Sequence, residues 1–148
     1  MENTMKLEIS ALSENESFAR NAVAAFALPL CPSFAELADI KTAVSEAVTN
    51  CIVHAYQAAT GKETIQIICT LKRVGCGGEL HIEVIDFGVG IEDVDRAVQP
   101  FFTTLSGEER SGMGFTVMQT FTDEFSLVSE RGKGTRVSMK KRIVGEIE

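Results

Sequence analysis

Basic charge is scarce in this chain. Fourteen lysines and arginines stand against 21 acidic residues among 148, a formal net charge of −7. A general nucleic-acid binder needs a basic footprint to neutralise phosphates, so that class is excluded. A small phosphate ligand is not, because backbone amides and one Mg²⁺ can hold it. Long apolar runs are missing as well: the longest, Ala22 to Cys31, is too short to span a bilayer and contains Pro29. The opening Met-Glu-Asn-Thr-Met-Lys-Leu-Glu has neither a basic nor an apolar signal region, and a cytoplasmic protein is expected. Cys31, Cys51, Cys69 and Cys76 show no C-x-x-C spacing, and two of them fall on expected core faces. That fits buried thiols in a reducing compartment better than disulfides or a zinc site. No G-x-x-x-x-G-K-[ST] occurs, and no G-x-G-x-x-G follows a parallel strand, so P-loop and Rossmann sites are excluded. The protein-kinase set of motifs is absent too.

What remains is an ordinary globular composition, 45% hydrophobic and 24% charged. Without repeats, low-complexity tracts or a linker, residues 1–148 read as one domain. A chain of this length buries roughly 68–70% of its unfolded surface. Leu7 and Ile9 alternate with polar neighbours in a short strand. Ser13-Glu-Asn-Glu16 reads as a capping box opening a helix to about Leu28, ended by Pro29. Its expected inner face is Phe18, Ala22, Ala25 and Phe26, which leaves Arg20 outside and exposed. Ser33-Phe-Ala-Glu36 is a second capping box, opening a long helix to about Ala58, before Gly61.

On that helix Leu37, Ile40, Val44, Val48, Cys51 and Ala55 share one face. Glu46, Asn50 and His54 stack on another at i, i+4 and i+8, either a solvated face or a site. Ile65, Ile67, Cys69 and Leu71, then Leu80, Ile82 and Val84, mark two strands joined through Gly75-Cys-Gly-Gly78. His81 falls on the outward face. A short helical turn is expected over Glu92 to Val98, followed by a polar loop from Phe101 to Gly112. A third helix runs from Phe115 to about Thr122, and a closing hairpin turns at Arg131-Gly-Lys-Gly134. The sum is a two-layer α/β sandwich: a mixed, mostly antiparallel sheet with helices on one face.

Two glycine sites invite chemistry. In Asp86-Phe-Gly88-Val-Gly90 the carboxylate at a strand end could accept from an exocyclic amine such as N6 of adenine. Guanine would present an oxygen there and be repelled. A plain Asp-capped turn accounts for the same residues. Ser111-Gly112-Met-Gly114 stands before a helix whose free amides and dipole favour an anion, or is simply a helix-start glycine pair.

Taken in order, these parts resemble the GHKL ATPase/kinase family with its Bergerat nucleotide-binding fold, most of all its branch of sporulation anti-sigma serine kinases. The motifs are Glu46-Ala-Val-Thr-Asn50-Cys-Ile-Val-His54, Asp86-Phe-Gly-Val-Gly90, Phe102-Thr-Thr104, Arg110-Ser-Gly-Met-Gly-Phe115 and Gly134-Thr135. The resemblance implies ATP and Mg²⁺ as cofactors. It implies that Asn50 offers Mg²⁺ an oxygen and that Glu46 is the general base. Asp86 would read adenine with help from Thr135 through a water. Gly88, Gly90, Gly112 and Gly114 would let backbone approach the nucleotide, Thr104 would open the lid, and Arg110 would neutralise the γ-phosphate. Thr103 to Arg110 is short for the family, which suits a protein acceptor. The implied partners are a sporulation sigma factor and an anti-anti-sigma protein phosphorylated on serine, both using the exposed Arg20 helix face; a homodimer is implied too. The alternatives are a nucleotide-gated module without catalysis, a histidine-kinase catalytic domain with a separate phosphoacceptor, and a stress-response anti-sigma kinase.

Overall fold

A computed structural model describes residues 2–55, 62–91, 94 and 114–145, with His54 described by its backbone alone. The alternating segments become β1 (Glu2–Ser10), β2 (Thr64–Val74), β3 (Gly77–Asp86), β4 (Glu124–Glu130) and β5 (Gly134–Ile143). The helical ones become α1 (Asn15–Phe26), α2 (Phe34–Asn50) and α3 (Gly114–Phe121). The sheet order is β1-β2-β3-β5-β4. Every described pairing is antiparallel, so the expected mixed sheet narrows to its antiparallel part. The two-layer α/β sandwich is otherwise as expected.

Period-two patterning fixes the sheet's inner face. Ile65, Ile67, Cys69 and Leu71 of β2 are fully buried, as are Leu80, Ile82 and Val84 of β3. Register sets them side by side: Ile67 opposite Val84, Cys69 opposite Ile82, Leu71 opposite Leu80. The β2–β3 turn is shorter than expected, because Gly77 and Gly78 already belong to β3. The outer face is polar; His81 is exposed, and Arg136 pairs with Glu83 at 3.4 Å.

The second capping box forms as written. The Glu36 amide donates to Ser33 Oγ at 3.1 Å, and the Ser33 amide donates to Glu36 Oε1 at 2.9 Å. The other oxygen of Glu36 accepts from the Val144 amide at 3.0 Å, and Lys141 donates to Asp39 at 3.0 Å, so two links tie α2 to the end of β5. Burial pulls the Glu36 carboxyl up, but the Ser33 and Val144 amides, the Ser33 hydroxyl and the Lys141 charge together hold it below its ordinary value. Ile40, Val44 and Val48 enter the core, with Ala43 and Ala47 beside them; Leu37 is half-buried.

α1 departs from expectation in three respects. No side chain caps it, and Glu14 occupies the cap position. The Glu16 amide bonds the Ser13 carbonyl at 3.2 Å, while the Glu16 carboxylate takes Arg20 at 2.6 and 2.8 Å. A two-pronged charged pair one turn away outcompetes a neutral amide for that carboxylate. The helix also ends at Phe26, and Pro29 sits inside a separate 3₁₀ turn, Leu28–Leu30. Finally, its buried face is Ala19, Val23, Ala24 and the following Ala27, whereas Phe18 is 53% exposed. Small side chains let α1 lie close on α2, which a large phenylalanine at the contact would prevent.

Candidate functional site

The last two turns of α2 carry Glu46 and Asn50, both half-buried and both off the Ile40–Val44–Val48 stripe. Four residues apart on a helix, their side chains are neighbours on one surface. After Asn50 the helix widens into a π-turn, Cys51–Ala55. Such a turn shifts the hydrogen-bond ladder by one residue and frees backbone groups for other partners. Here the Ala55 carbonyl accepts from the Val89 amide at 3.1 Å.

That bond joins the helix to the end of β3. Asp86, the last residue of β3, is 5% exposed and pairs in register with Thr135 of β5, itself 9% exposed. The Gly88 amide donates to Asp86 Oδ1 at 3.0 Å, so the aspartate does cap its own turn. The Cys51 thiol and the Thr135 amide also donate toward this carboxylate. Burial pushes the Asp86 carboxyl above the ordinary aspartate range, and the three donors pull part of that rise back. Burial, then the adjacent Asp86 charge, pushes the Cys51 thiol well above the usual thiol range, so it stays protonated and able to donate.

The turn after Asp86 is wedged between two parts of the protein. A Cβ on Gly88 would sit 2.3 Å from the Ala55 carbonyl oxygen. Gly90 has φ +74°, and a Cβ there would sit 2.1 Å from the Glu130 carbonyl oxygen. Glycine is therefore required at both positions by packing within the chain, apart from any ligand. The Gly132 amide bonds the Val89 carbonyl at 2.7 Å, and the Ile91 amide bonds Ser129 Oγ at 2.7 Å, fastening the turn to the β4–β5 hairpin. Gly88→Ala is expected to cost about 1–3 kcal/mol by overpacking. Differential scanning calorimetry should show a melting temperature several degrees lower; an unchanged one would mean that the turn does not rest on Ala55.

The fold thus sets Asp86, Gly88 and Gly90 at the end of β3, with Thr135 of β5 beside Asp86, against Cys51 and Ala55, in the helical turn that follows Glu46 and Asn50. Gly114 is buried at the start of α3, which packs on α2. Next to it Phe115 tilts against Phe125 of β4, ring centroids 6.1 Å apart. Thr104, Arg110 and Gly112 lie outside the described residues, as do the expected turn over 92–98, Val94 apart, and the loop over 101–112. Arg20 stands on α1, paired with Glu16 rather than freely exposed. Among the described residues no group of three or more His, Cys, Asp and Glu could hold a metal by itself. No described helix is long and apolar enough to cross a membrane.

Two contributors escaped the sequence reading. Cys51 was legible as a core thiol, but its neighbour Asp86 is 35 positions away. Ser129 pairs across the hairpin with Thr135, and counting symmetrically outward from Gly132 would have found it.

Residues 9–141 match the model of the histidine kinase-like ATPase domain. The chain is 57% identical over 141 residues to an anti-sigma F factor of Thermoanaerobacter sp. (strain X514), covering 95% of this chain and 94% of that one. It is 49% identical over 142 residues to an anti-sigma F factor of Clostridium acetobutylicum, covering 96% and 95%. Among solved structures, that of the RsbU and RsbW domains of Rv1364c from Mycobacterium tuberculosis is similar with a TM-score of 0.62 at 17% identity. This last likeness, one of fold, covers 95% of this chain and 32% of that one.

Proposed function

Because this chain belongs to the histidine kinase-like ATPase family, we propose that it is an anti-sigma factor that uses MgATP to phosphorylate a serine on an anti-anti-sigma protein. Its sigma partner is of the sigma-F kind, in keeping with the names of its relatives. The observation that carries the ATP reading is the Val89–Ala55 hydrogen bond. It sets the acidic turn at the end of β3 against the end of the helix bearing Glu46 and Asn50.

In this reading each residue acts by its own chemistry. Asp86 accepts from the exocyclic amine of adenine, with Thr135 beside it. Asn50 would supply a neutral oxygen to Mg²⁺, an ion that needs oxygen ligands and commonly retains waters. When bound there, such an ion would supply positive charge beside the transferring phosphoryl group. Glu46, one turn from Asn50, takes the proton of the attacking serine hydroxyl. Arg110 is proposed to neutralise the γ-phosphate, Thr104 to belong to the start of the lid, and Gly112 and Gly114 to let backbone approach the nucleotide. Phosphorylation adds roughly −1.5 to −2 charge to the acceptor. Against a chain of net charge −7 this weakens rebinding and leaves the sigma factor held. A homodimer is part of the proposal.

The decisive experiment incubates the purified protein with MgATP and candidate anti-anti-sigma proteins and locates the phosphate by mass spectrometry. A phosphoserine on the acceptor supports the reading; ATP binding without transfer to any acceptor overturns the kinase part.

Arg20 tests the partner surface. Its bond to Glu16 joins residues four apart on a helix, a pair worth about 0.3–0.5 kcal/mol, so an acidic partner group can draw it away at little cost. Arg20→Ala should weaken binding of the sigma factor or the acceptor about tenfold, as loss of one charged hydrogen bond does. Surface plasmon resonance measures both, and unchanged affinity for both partners would rule the surface out.

A further inference from the structure

We infer that Ser129 is a positioning residue that fixes the hydrogen-bond polarity of Thr135 toward a bound purine. This rests on the reading that Asp86 and Thr135 face the base. Ser129 Oγ has three polar neighbours: the Ile91 amide at 2.7 Å, the Gly134 carbonyl at 3.0 Å and Thr135 Oγ1 at 2.8 Å. A hydroxyl carries one hydrogen and two lone pairs. An amide can only donate and a carbonyl can only accept. The Ser129 hydrogen therefore goes to Gly134, and one lone pair receives the Ile91 amide.

Only a lone pair is left for Thr135, so the Thr135 hydroxyl must donate to Ser129. Its single hydrogen is then committed, and Thr135 Oγ1 has only lone pairs to offer elsewhere. Asp86, in register beside it, presents acceptors as well when ionised. The two side chains thus form an acceptor-only wall, which asks the ligand for an N–H donor and turns away a carbonyl oxygen. Rejection of a purine with oxygen at position 6 is built from two side chains, and Ser129 holds the second of them in its rejecting state. Ser129 also ties Ile91, at the end of the acidic turn, to the hairpin that carries Thr135.

The test compares ATP with ITP, which carries a carbonyl oxygen where ATP has its amine, by equilibrium titration with Mg²⁺. Wild type should prefer ATP. Ser129→Ala releases the Thr135 hydrogen to donate to that oxygen, and the ATP-to-ITP preference should fall about tenfold, the size of one hydrogen bond. Adding Thr135→Val to Ser129→Ala removes the released donor and should restore the preference; Ser129→Thr keeps a hydroxyl and should keep the wild-type ratio. Should Ser129→Ala fail to fold, Ser129→Cys, a weak donor of similar size, carries the same comparison with a smaller drop.

Equal losses for both nucleotides in Ser129→Ala would make Ser129 merely structural and overturn the inference. So would a relaxed ratio that persists in the double variant. A wild type that does not distinguish ATP from ITP would instead bring down the adenine reading of Asp86, and this inference with it.

Discussion

Replacing Glu46 with alanine is expected to lower phosphotransfer by about 10²–10⁴-fold, the usual contribution of a positioned general base, while ATP still binds. Glu46 lies a full turn before Asn50, on the same surface of α2 and off the stripe that enters the core. In the proposed reaction its carboxylate receives the proton of a hydroxyl approaching the phosphates, a role alanine cannot fill. Single-turnover transfer of labelled phosphate, run beside an ATP titration, separates chemistry from binding. A drop of less than tenfold would remove Glu46 from the role of base, because positioning alone would then account for the rate. If wild type itself transfers nothing to the correct acceptor, the chain is a nucleotide-gated binding module in which ATP selects a conformation.

Asp86→Asn is expected to weaken ATP binding about ten- to hundredfold, the worth of a charge-assisted hydrogen bond. It should also narrow the preference over GTP, since a carboxamide can turn its NH₂ toward the guanine oxygen. Retained selectivity with retained affinity would contradict the adenine assignment. A pH dependence accompanies it. Burial raises the Asp86 carboxyl in the folded protein above its ordinary 3.8, so the ionised group costs the fold stability. That cost is fully present above the raised value and disappears as pH falls below the ordinary one. In the proposed site nucleotide binding runs the other way: adenine is read by the ionised acceptor, so ATP affinity should fall on acidification sooner than an exposed aspartate would allow. Asp86→Asn removes this limb of the pH profile, which titrations across a pH series would detect.

Much of the fold was legible because its signals are local. The Ser33 box spans four residues, and both of its bonds form. The alternation in β2 and β3 names the buried residues one by one, since a strand sends successive side chains to opposite faces. Ser13-Glu-Asn-Glu16 carries the same letters as the true box, yet Arg20 claims the Glu16 carboxylate. The buried face of α1 is hard to see in the sequence because alanine gives little hydrophobic contrast. Phe18 outranks Ala19 by size, and only the closeness of α2 puts the small residue inside.

The candidate site divides the same way. Spacing along the chain determined that a carboxylate and a carboxamide share one surface of α2 and that an acidic glycine turn ends a strand, because helix and strand periods follow from local backbone geometry. Only the tertiary structure decided why Gly88 and Gly90 must be glycine, what donates to Asp86, and what the Thr135 hydroxyl meets across the hairpin. Those answers lie in the Ala55 and Glu130 carbonyls, the Cys51 thiol and the Ser129 hydroxyl. Each belongs to another element, brought within bonding distance by the packing of the whole chain.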